Sequence, residues 1–332
     1  MRKNAMERRR LLKALAGVGL SSVVLPSSSL LGELAAQTAG GVPGIEANAA
    51  TGAQAATAGS GASAAQSALA DMAVARGRAP AELVEAAIAA MGGMGRFISK
   101  GDQVLVKPNI GWDRTPEQAA DTNPIVVRAV IDLCYKAGAQ KVVVVDNTCN
   151  QAHRCYTRSG IMAAAQEAGA DVRYINDKKF KEMEVGGEVV KKWPIYTDFV
   201  EADKIINVPI AKHHTLARLT LSMKNWIGAV GGRRNQLHQK LDVICVDLSA
   251  FFKPTLTVLD AVRILKANGP QGGNLKDVEQ MDTLAAGINE VSIDSFGASL
   301  FGLRPEDIGS IKAGAARGLG ETDLTKMTVR KA

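Results

Sequence analysis

The sequence predicts an α/β protein with a mostly parallel sheet flanked by helices. From about residue 80 onward, short apolar runs typical of buried strands alternate with amphipathic segments typical of helices. Residues 141–146 form a continuous apolar run that ends in an acid, which indicates a parallel strand buried on both faces. The chain beyond residue 78 is long enough for one large domain, or for two lobes with a cleft between them.

The first predicted elements have clear boundary signals. A helix is expected over residues 80–91 and a strand over residues 103–107. Asn123 is a suitable cap for the next helix, because Pro124 follows it at the first helical position. That helix should run to about Lys136, and Gly138 should close it.

The remaining elements continue the same alternation. Gly186 and Gly187 stand between two short arms, which predicts a small hairpin over residues 182–192. The other expected elements are a helix over residues 159–168, strands over residues 172–175, 204–209, 256–260 and 283–286, and a helix that contains Asp294.

Residues 212–225 combine cations, imidazoles, hydroxyls and an amide between apolar stretches, and they follow the predicted strand 204–209. Ligands of open α/β sheets bind at the carboxyl ends of strands. Lys212, His214, Lys224 and Asn225 are therefore candidates for holding an anion or a metal. The alternative is a solvated loop followed by an ordinary helix.

Three lysines would be costly to bury without partners, namely Lys107, Lys212 and Lys224. If they converge, two outcomes are expected. They form an internal salt-bridge network with Asp146 and Asp260, or they hold a carboxylate or a phosphate in a cleft.

His214 is a candidate for proton transfer near neutral pH, or for ligation of a divalent metal, with Asp146 or Asp260 nearby. A single histidine does not make a metal site, so a hydrogen-bonded histidine in a polar pocket is the alternative. The proposed catalytic residues are His214, Lys224 and Asp260. No metal ligands are assigned.

Two glycine-rich loops are candidates for closing over a ligand. The first contains Arg233, whose guanidinium suits an anion, although the loop is equally consistent with a mobile turn. The second contains Gly269, where backbone amides can approach a ligand closely. Neither loop has the pattern of a dinucleotide or P-loop site.

The four cysteines form no Cys-x-x-Cys pair, so no iron-sulfur cluster is expected. Cys149 and Cys155 are close enough in sequence to form a disulfide, and this question stays open at the sequence level.

The N-terminal residues predict export. Residues 6–25 have a basic start and a short apolar run, and Arg8-Arg9 followed by Leu11-Leu12-Lys13 resembles a twin-arginine signal. This resemblance implies the twin-arginine translocase as a partner, delivery to the periplasm in folded form, and no membrane span after cleavage. The alternative is an uncleaved anchor.

The predicted domains are the signal at 1–36, a disordered Ala/Gly/Ser tether at 37–78, and the α/β domain at 79–332. Residues 1–36 carry six basic and two acidic residues, so without them the net charge falls from +7 to +3. That balance, with few aromatic residues, argues against a nucleic-acid binder.

Several ordered motifs resemble one family of bacterial and archaeal proteins, called domain of unknown function 362. They are residues 106–109 after a strand, residues 121–124 before a helix, Lys212-x-His214 with Thr220 and Lys224-Asn225, and residues 268–270. The resemblance covers roughly residues 83–325 and implies little about biochemistry. The candidate ligand-binding residues are Lys107, Asn109, Asp146, Lys212, Asn225, Arg233 and Gly269.

Three functions are consistent with these residues. The first is an enzyme for a small anionic substrate, with or without a metal. The second is a periplasmic ligand-binding or cofactor-carrying protein without turnover. The third is a structural or assembly subunit.

Overall fold

A mixed, mostly parallel sheet with helices on both faces organises the chain. The computed structural model describes residues 69–332. The predicted signal at 1–36 and most of the predicted tether lie outside these residues. The predicted α/β fold class is confirmed. The described residues belong to one compact unit built on one central sheet, rather than to two lobes.

The strands of the described residues are β1 (Met72–Arg76), β2 (Gln103–Pro108), β3 (Lys141–Val144), β4 (Asp171–Val172), β5 (Phe180–Glu184), β6 (Lys192–Tyr196), β7 (Lys204–Val208), β8 (Ile210–His214), β9 (Arg218–Thr220), β10 (Leu256–Leu265), β11 (Val278–Gly287) and β12 (Val329–Lys331). The α-helices of the same residues are α1 (Pro80–Ala90), α2 (Pro124–Lys136), α3 (Ala152–Arg158), α4 (Ile161–Glu167), α5 (Asp198–Glu201), α6 (Ser222–Asn225), α7 (Leu241–Phe252), α8 (Glu290–Ser299) and α9 (Gly309–Ala316).

The central sheet has the strand order β12-β1-β11-β10-β7-β2-β3-β4, and β8 pairs with β10 and β9 beside this path. The pairs from β10 through β7, β2 and β3 to β4 are parallel. Strand β11 is antiparallel to both of its neighbours, β1 and β10. The carboxyl ends of β2, β3 and β7 therefore meet at one edge, where a ligand site is expected in such a sheet.

Strand β2 shows why helices cover both faces. Val104 and Val106 pack into one apolar cluster, whereas Leu105, which points to the other face, packs into a second. The start of α2 follows its sequence signals, since the Asn123 side chain accepts a hydrogen bond from the amide of Ile125 at 2.9 Å. Such a cap satisfies a helix amide that has no partner within the helix.

Strand β1 corrects one predicted boundary. Residues Met72–Arg76 pair with β11 and β12 in the central sheet. The sequence places them in the predicted tether at 37–78, because Ala- and Gly-rich residues precede them. The domain therefore begins before residue 79.

The predicted loop after β7 is also corrected. Ile210–His214 forms β8, which pairs with β10 and β9, so Lys212 and His214 lie within a strand. The segment before residue 159 contains an additional helix, Ala152–Arg158. The predicted hairpin is confirmed as the antiparallel pair of β5 and β6, in which Glu184 lies opposite Lys192.

The cysteines of the structure are all free thiols, and Cys149 is exposed whereas Cys155 is buried. Between residues 69 and 332, no helix combines the length and the apolar composition needed to cross a bilayer.

Candidate functional site

Lys107, near the end of β2, makes a buried ion pair with Asp146, which follows β3. Its Nζ donates to Asp146 Oδ1 at 2.6 Å, to Asn225 Oδ1 at 3.0 Å and to the carbonyl of Pro108 at 2.8 Å. The other carboxylate oxygen, Oδ2, accepts from the amide of Ile110 at 2.7 Å. All three protons of the ammonium are engaged, so Lys107 and Asp146 organise the site rather than bind a ligand directly.

Gly228 allows this pair to form. A Cβ at position 228 would lie 1.9 Å from Asp146 Oδ1 and 2.8 Å from Lys107 Nζ. The carbonyl of Gly228 also accepts from the amide of Asn147 at 2.9 Å. A residue without a side chain is needed there because the backbone passes directly over the ion pair.

Lys212 is buried on β8, and no carboxylate among residues 69–332 makes a salt bridge with it. Its Nζ donates to Asn109 Oδ1 at 2.8 Å and to the carbonyl of Ala120. Burial lowers the pKa of Lys212 to about 8, although the nearby carboxyl of Asp121 raises it. Thr220 lies opposite Lys212 in the β8–β9 ladder, and its buried hydroxyl makes no hydrogen bond to any residue that the structure describes.

Asp121 belongs to this site, and the sequence analysis did not select it. Its Oδ1 accepts from the amide of Trp112 at 2.9 Å, whereas its buried Oδ2 has no hydrogen-bond partner of ordinary geometry within the described part of the chain. Burial raises the pKa of Asp121 to about 7, against the opposing effect of Lys212. The available signal was the position of this acid directly before α2, at an edge where strands end.

His214 is held in one tautomer. Its Nδ1 accepts from the amides of Leu216 and Ala217, both at 3.1 Å. The neutral ring therefore carries its proton on Nε2. Burial, with the positive charges of Lys224 and Lys212, lowers the pKa of His214 to about 3.

This state of His214 corrects two expectations. A ring that is neutral near pH 7 and has Nδ1 engaged donates through Nε2–H, so it is unsuited to act as a general base. Ligation of a metal through Nε2 would move the proton to Nδ1, which faces two N–H donors. Among residues 69–332, no group of three or more His, Cys, Asp or Glu side chains could hold a metal ion.

Lys224, in α6, has no hydrogen-bond or ion-pair partner among the described residues, and its side chain is half-buried. Burial lowers the pKa of its ammonium. The positive charge of Lys224 lowers the pKa of both Lys212 and His214, which couples the three residues electrostatically. Asn225, the next residue, joins Lys107 to Asn109 through its Oδ1, at 3.0 and 2.9 Å.

Asp260 does not have the predicted catalytic position. Its Oδ2 accepts from the amide of Asn123 at 2.7 Å and its Oδ1 from the amide of Val262 at 3.0 Å. Burial raises its pKa to about 6. Because both oxygens bind backbone amides, Asp260 joins β10 to the start of α2.

Gly269 and Arg233 have different positions from those expected. The amide of Gly269 donates to Nδ1 of His213 at 3.1 Å, and a Cβ there would lie 2.1 Å from the carbonyl oxygen of His213. Gly269 thus anchors its loop against β8. Arg233 is exposed, whereas its neighbour Arg234 donates to the carbonyls of Asn147 and Thr148 at 2.7 and 2.6 Å.

The structure thus brings together most of the predicted site residues. Lys107, Asn109, Asp146, Lys212, His214, Lys224 and Asn225 are linked by the contacts and charges above, and Asp121 is added to them. Asp260, Arg233 and Gly269 support or border this group.

The model of the family described as Domain of unknown function (DUF362) matches residues 104–299, which is more than half of the chain. A thylakoid-associated protein of Synechocystis sp. is 26% identical over 247 residues, which are 70% of this chain and 73% of that protein.

Two solved structures are similar at low identity. The lactate racemase apoprotein of Thermoanaerobacterium thermosaccharolyticum is 10% identical, with a TM-score of 0.39 over 63% of this chain and 53% of that one. A protein of Thermotoga maritima is 10% identical, with a TM-score of 0.39 over 67% of this chain and 59% of that one. This chain therefore spans less than two thirds of either structure.

Proposed function

The chain belongs to the family described as Domain of unknown function (DUF362), and we propose that it binds a small organic anion at Lys212, His214 and Lys224. The anion is a carboxylate or a phosphate. Lys224 and His214 contact the anion directly, and the buried ammonium of Lys212 supplies a second positive charge.

The observation that carries this proposal is the direction of the hydrogen bonds at His214. Because Nδ1 accepts from two backbone amides, the ring presents an N–H through Nε2. The nearby ammonium of Lys224 has no partner among the residues of the structure. Hydrogen-bond donors without an acidic partner complement an anion, whereas a divalent cation requires lone pairs.

The test is calorimetric titration with inorganic phosphate and with a panel of small carboxylates. We expect Lys224→Ala and His214→Ala each to weaken binding by about tenfold to a hundredfold, because each removes a charged or oriented donor. Lys312→Ala is the matched control, since Lys312 is an exposed lysine on α9. If no probe binds to the wild type, the assembly alternative is favoured. If all three variants bind a probe alike, the anion does not bind at Lys224 and His214.

A second candidate function is proton transfer on the same anion, which would make the protein an enzyme. Asp121 favours it, because its buried Oδ2 has no partner and its pKa of about 7 allows it to exchange a proton near neutral pH. The test incubates the carboxylate panel with wild type and Asp121→Asn in D2O. Deuterium incorporated into a carboxylate by the wild type alone supports an enzyme. The same deuterium content after incubation with either protein supports binding without turnover.

We also propose export to the periplasm through the twin-arginine translocase. The support is the Arg8-Arg9 motif followed by a short apolar run, which lies outside the described residues. The Synechocystis relative is described as thylakoid-associated, which names a membrane compartment rather than a periplasm. Fractionation of cells that express wild type or Arg8→Lys/Arg9→Lys tests the proposal. An unchanged distribution would reject this route.

A further inference from the structure

Three asparagine side chains form a hydrogen-bonded row between Lys212 and the buried carboxylate of Glu290. Lys212 Nζ donates to Asn109 Oδ1 at 2.8 Å, and Asn109 Nδ2 donates to Asn225 Oδ1 at 2.9 Å. Asn225 Nδ2 then donates to Asn207 Oδ1 at 2.8 Å, and Asn207 Nδ2 donates to Glu290 Oε1 at 2.6 Å. Every bond in the row has the same direction.

The two ends of the row impose this direction. An ammonium can only donate hydrogen bonds, and a carboxylate can only accept them. If one amide between these ends rotated by 180°, two N–H groups would face each other on one side and two oxygens on the other. A buried row of this kind is stable only when all members are satisfied together.

Independent contacts hold the two inner amides in the same orientation. Asn225 Oδ1 also accepts from Lys107 Nζ at 3.0 Å. Asn207 Nδ2 also donates to the carbonyl of Ser222 at 3.0 Å. The outer amide of Asn109 has no such second contact, so its orientation toward Lys212 depends on the row behind it.

Glu290 is surrounded by donors. Trp226 Nε1 lies 3.0 and 2.8 Å from its two oxygens, and the hydroxyl of Ser249 donates to Oε2. The hydroxyl of Thr257 lies 3.5 Å from Oε1. Burial raises the pKa of Glu290, and these hydrogen bonds lower it. Because all of these groups donate hydrogen bonds to Glu290, its carboxylate is the acceptor end of the row.

We propose that Glu290 is a positioning residue for the site, which acts through Asn207, Asn225 and Asn109 to keep an oxygen facing the Lys212 ammonium. Its importance for ligand binding rests on the anion site proposed above. Its effect on Lys212 does not rest on that site, because the hydrogen bonds of the row are present without a ligand. Glu290 lies at the start of α8, far from Lys212 in the sequence, and it touches no proposed ligand-binding donor directly.

The test is a pH titration of Lys212 by NMR in protein labelled with [13Cε]-lysine, with the resonance assigned from Lys212→Arg. In Glu290→Gln the acceptor end can present an N–H group to Asn207, which weakens the row, and the negative charge disappears. Both changes disfavour the ammonium, and we expect the Lys212 midpoint to fall by about one pH unit. Asp121, Asp146, Lys224 and Cys149 also act on Lys212, and all four are retained.

Ser249→Ala is the matched control, because it removes one hydrogen bond to Glu290 and leaves the row intact. Equal Lys212 midpoints in Glu290→Gln and Ser249→Ala, with similar losses in thermal stability, would overturn the inference and leave Glu290 a structural residue. If Glu290→Gln does not fold, Asn207→Leu decides instead, because it interrupts the row and keeps both charged ends. An unchanged midpoint in that variant also overturns the inference.

Phosphate titration of the same variants separates the two proposals. A midpoint that falls while the wild type binds neither phosphate nor any carboxylate of the panel supports the role of Glu290 and rejects the anion site. Phosphate binding with an unchanged midpoint supports the anion site and rejects the role of Glu290.

Discussion

Lys107 Nζ lies 2.6 Å from Asp146 Oδ1, and both side chains are buried at the carboxyl edge of the parallel sheet. Asp146 also accepts from the amides of Ile110 and Asn147, at 2.7 and 3.0 Å. The pair therefore joins the segments that follow β2 and β3. We therefore expect loss of this ion pair to lower the stability of the fold more than it changes ligand binding.

Asp146→Asn is expected to destabilise the protein by about 3–5 kcal/mol, because it leaves the Lys107 ammonium buried without a compensating charge. Urea unfolding measures this effect. The control is Glu184→Gln, which removes the partner of Lys192 in an exposed ion pair of 2.7 Å and should have a much smaller effect, because solvent screens exposed charges. Equal losses in the two variants would contradict the role given to burial.

Gly228→Ala should destabilise the protein by about 1–3 kcal/mol, because its Cβ would overlap Asp146 Oδ1 and force the ion pair apart. Gly95→Ala is the control, since a Cβ at that position meets no atom within 4 Å. Thermal unfolding compares the two variants. If Gly228→Ala leaves the stability unchanged, the backbone there can move away from the ion pair at little cost.

The contribution of His214 to stability should fall as the pH drops below about 6.5. Its pKa is lowered to about 3 in the folded protein, so the unfolded chain binds more protons between these two values. This effect is expected to be about 1–2 kcal/mol between pH 7 and pH 5.

Urea unfolding at both pH values measures it. The variant His214→Gln should have a smaller difference between pH 7 and pH 5 than the wild type, and His153→Gln, at an exposed position, should retain the full difference. If His214→Gln also retains the full difference in stability between the two pH values, the pKa of His214 is not lowered by the fold.

Asp260→Asn should lower stability by about 1–3 kcal/mol and leave phosphate affinity unchanged, because both carboxylate oxygens bind backbone amides. Urea unfolding and calorimetric titration measure the two effects. A large loss of affinity without loss of stability would return Asp260 to the ligand-binding residues.

Much of the fold was predictable from local signals. Asn123 and Pro124 predicted the start of α2, and the apolar run after Lys141 predicted a buried parallel strand. Strand β1 was missed because its Ala-rich residues resemble the preceding tether, and only pairing with β11 and β12 makes them a strand. Strand β8 was missed because polar side chains interrupt its apolar pattern.

By itself, the sequence determined the fold class, the family and the residues that supply positive charge to the site, because these follow from periodicity, ordered motifs and side-chain chemistry. The tertiary structure decided what each residue does. Lys107 has an acidic partner, whereas Lys224 has none among residues 69–332. His214 donates through Nε2 because two amides occupy Nδ1, and Glu290 is joined to Lys212 through three asparagines. These properties depend on contacts between residues that are far apart in the chain. Local sequence patterns do not reveal such contacts.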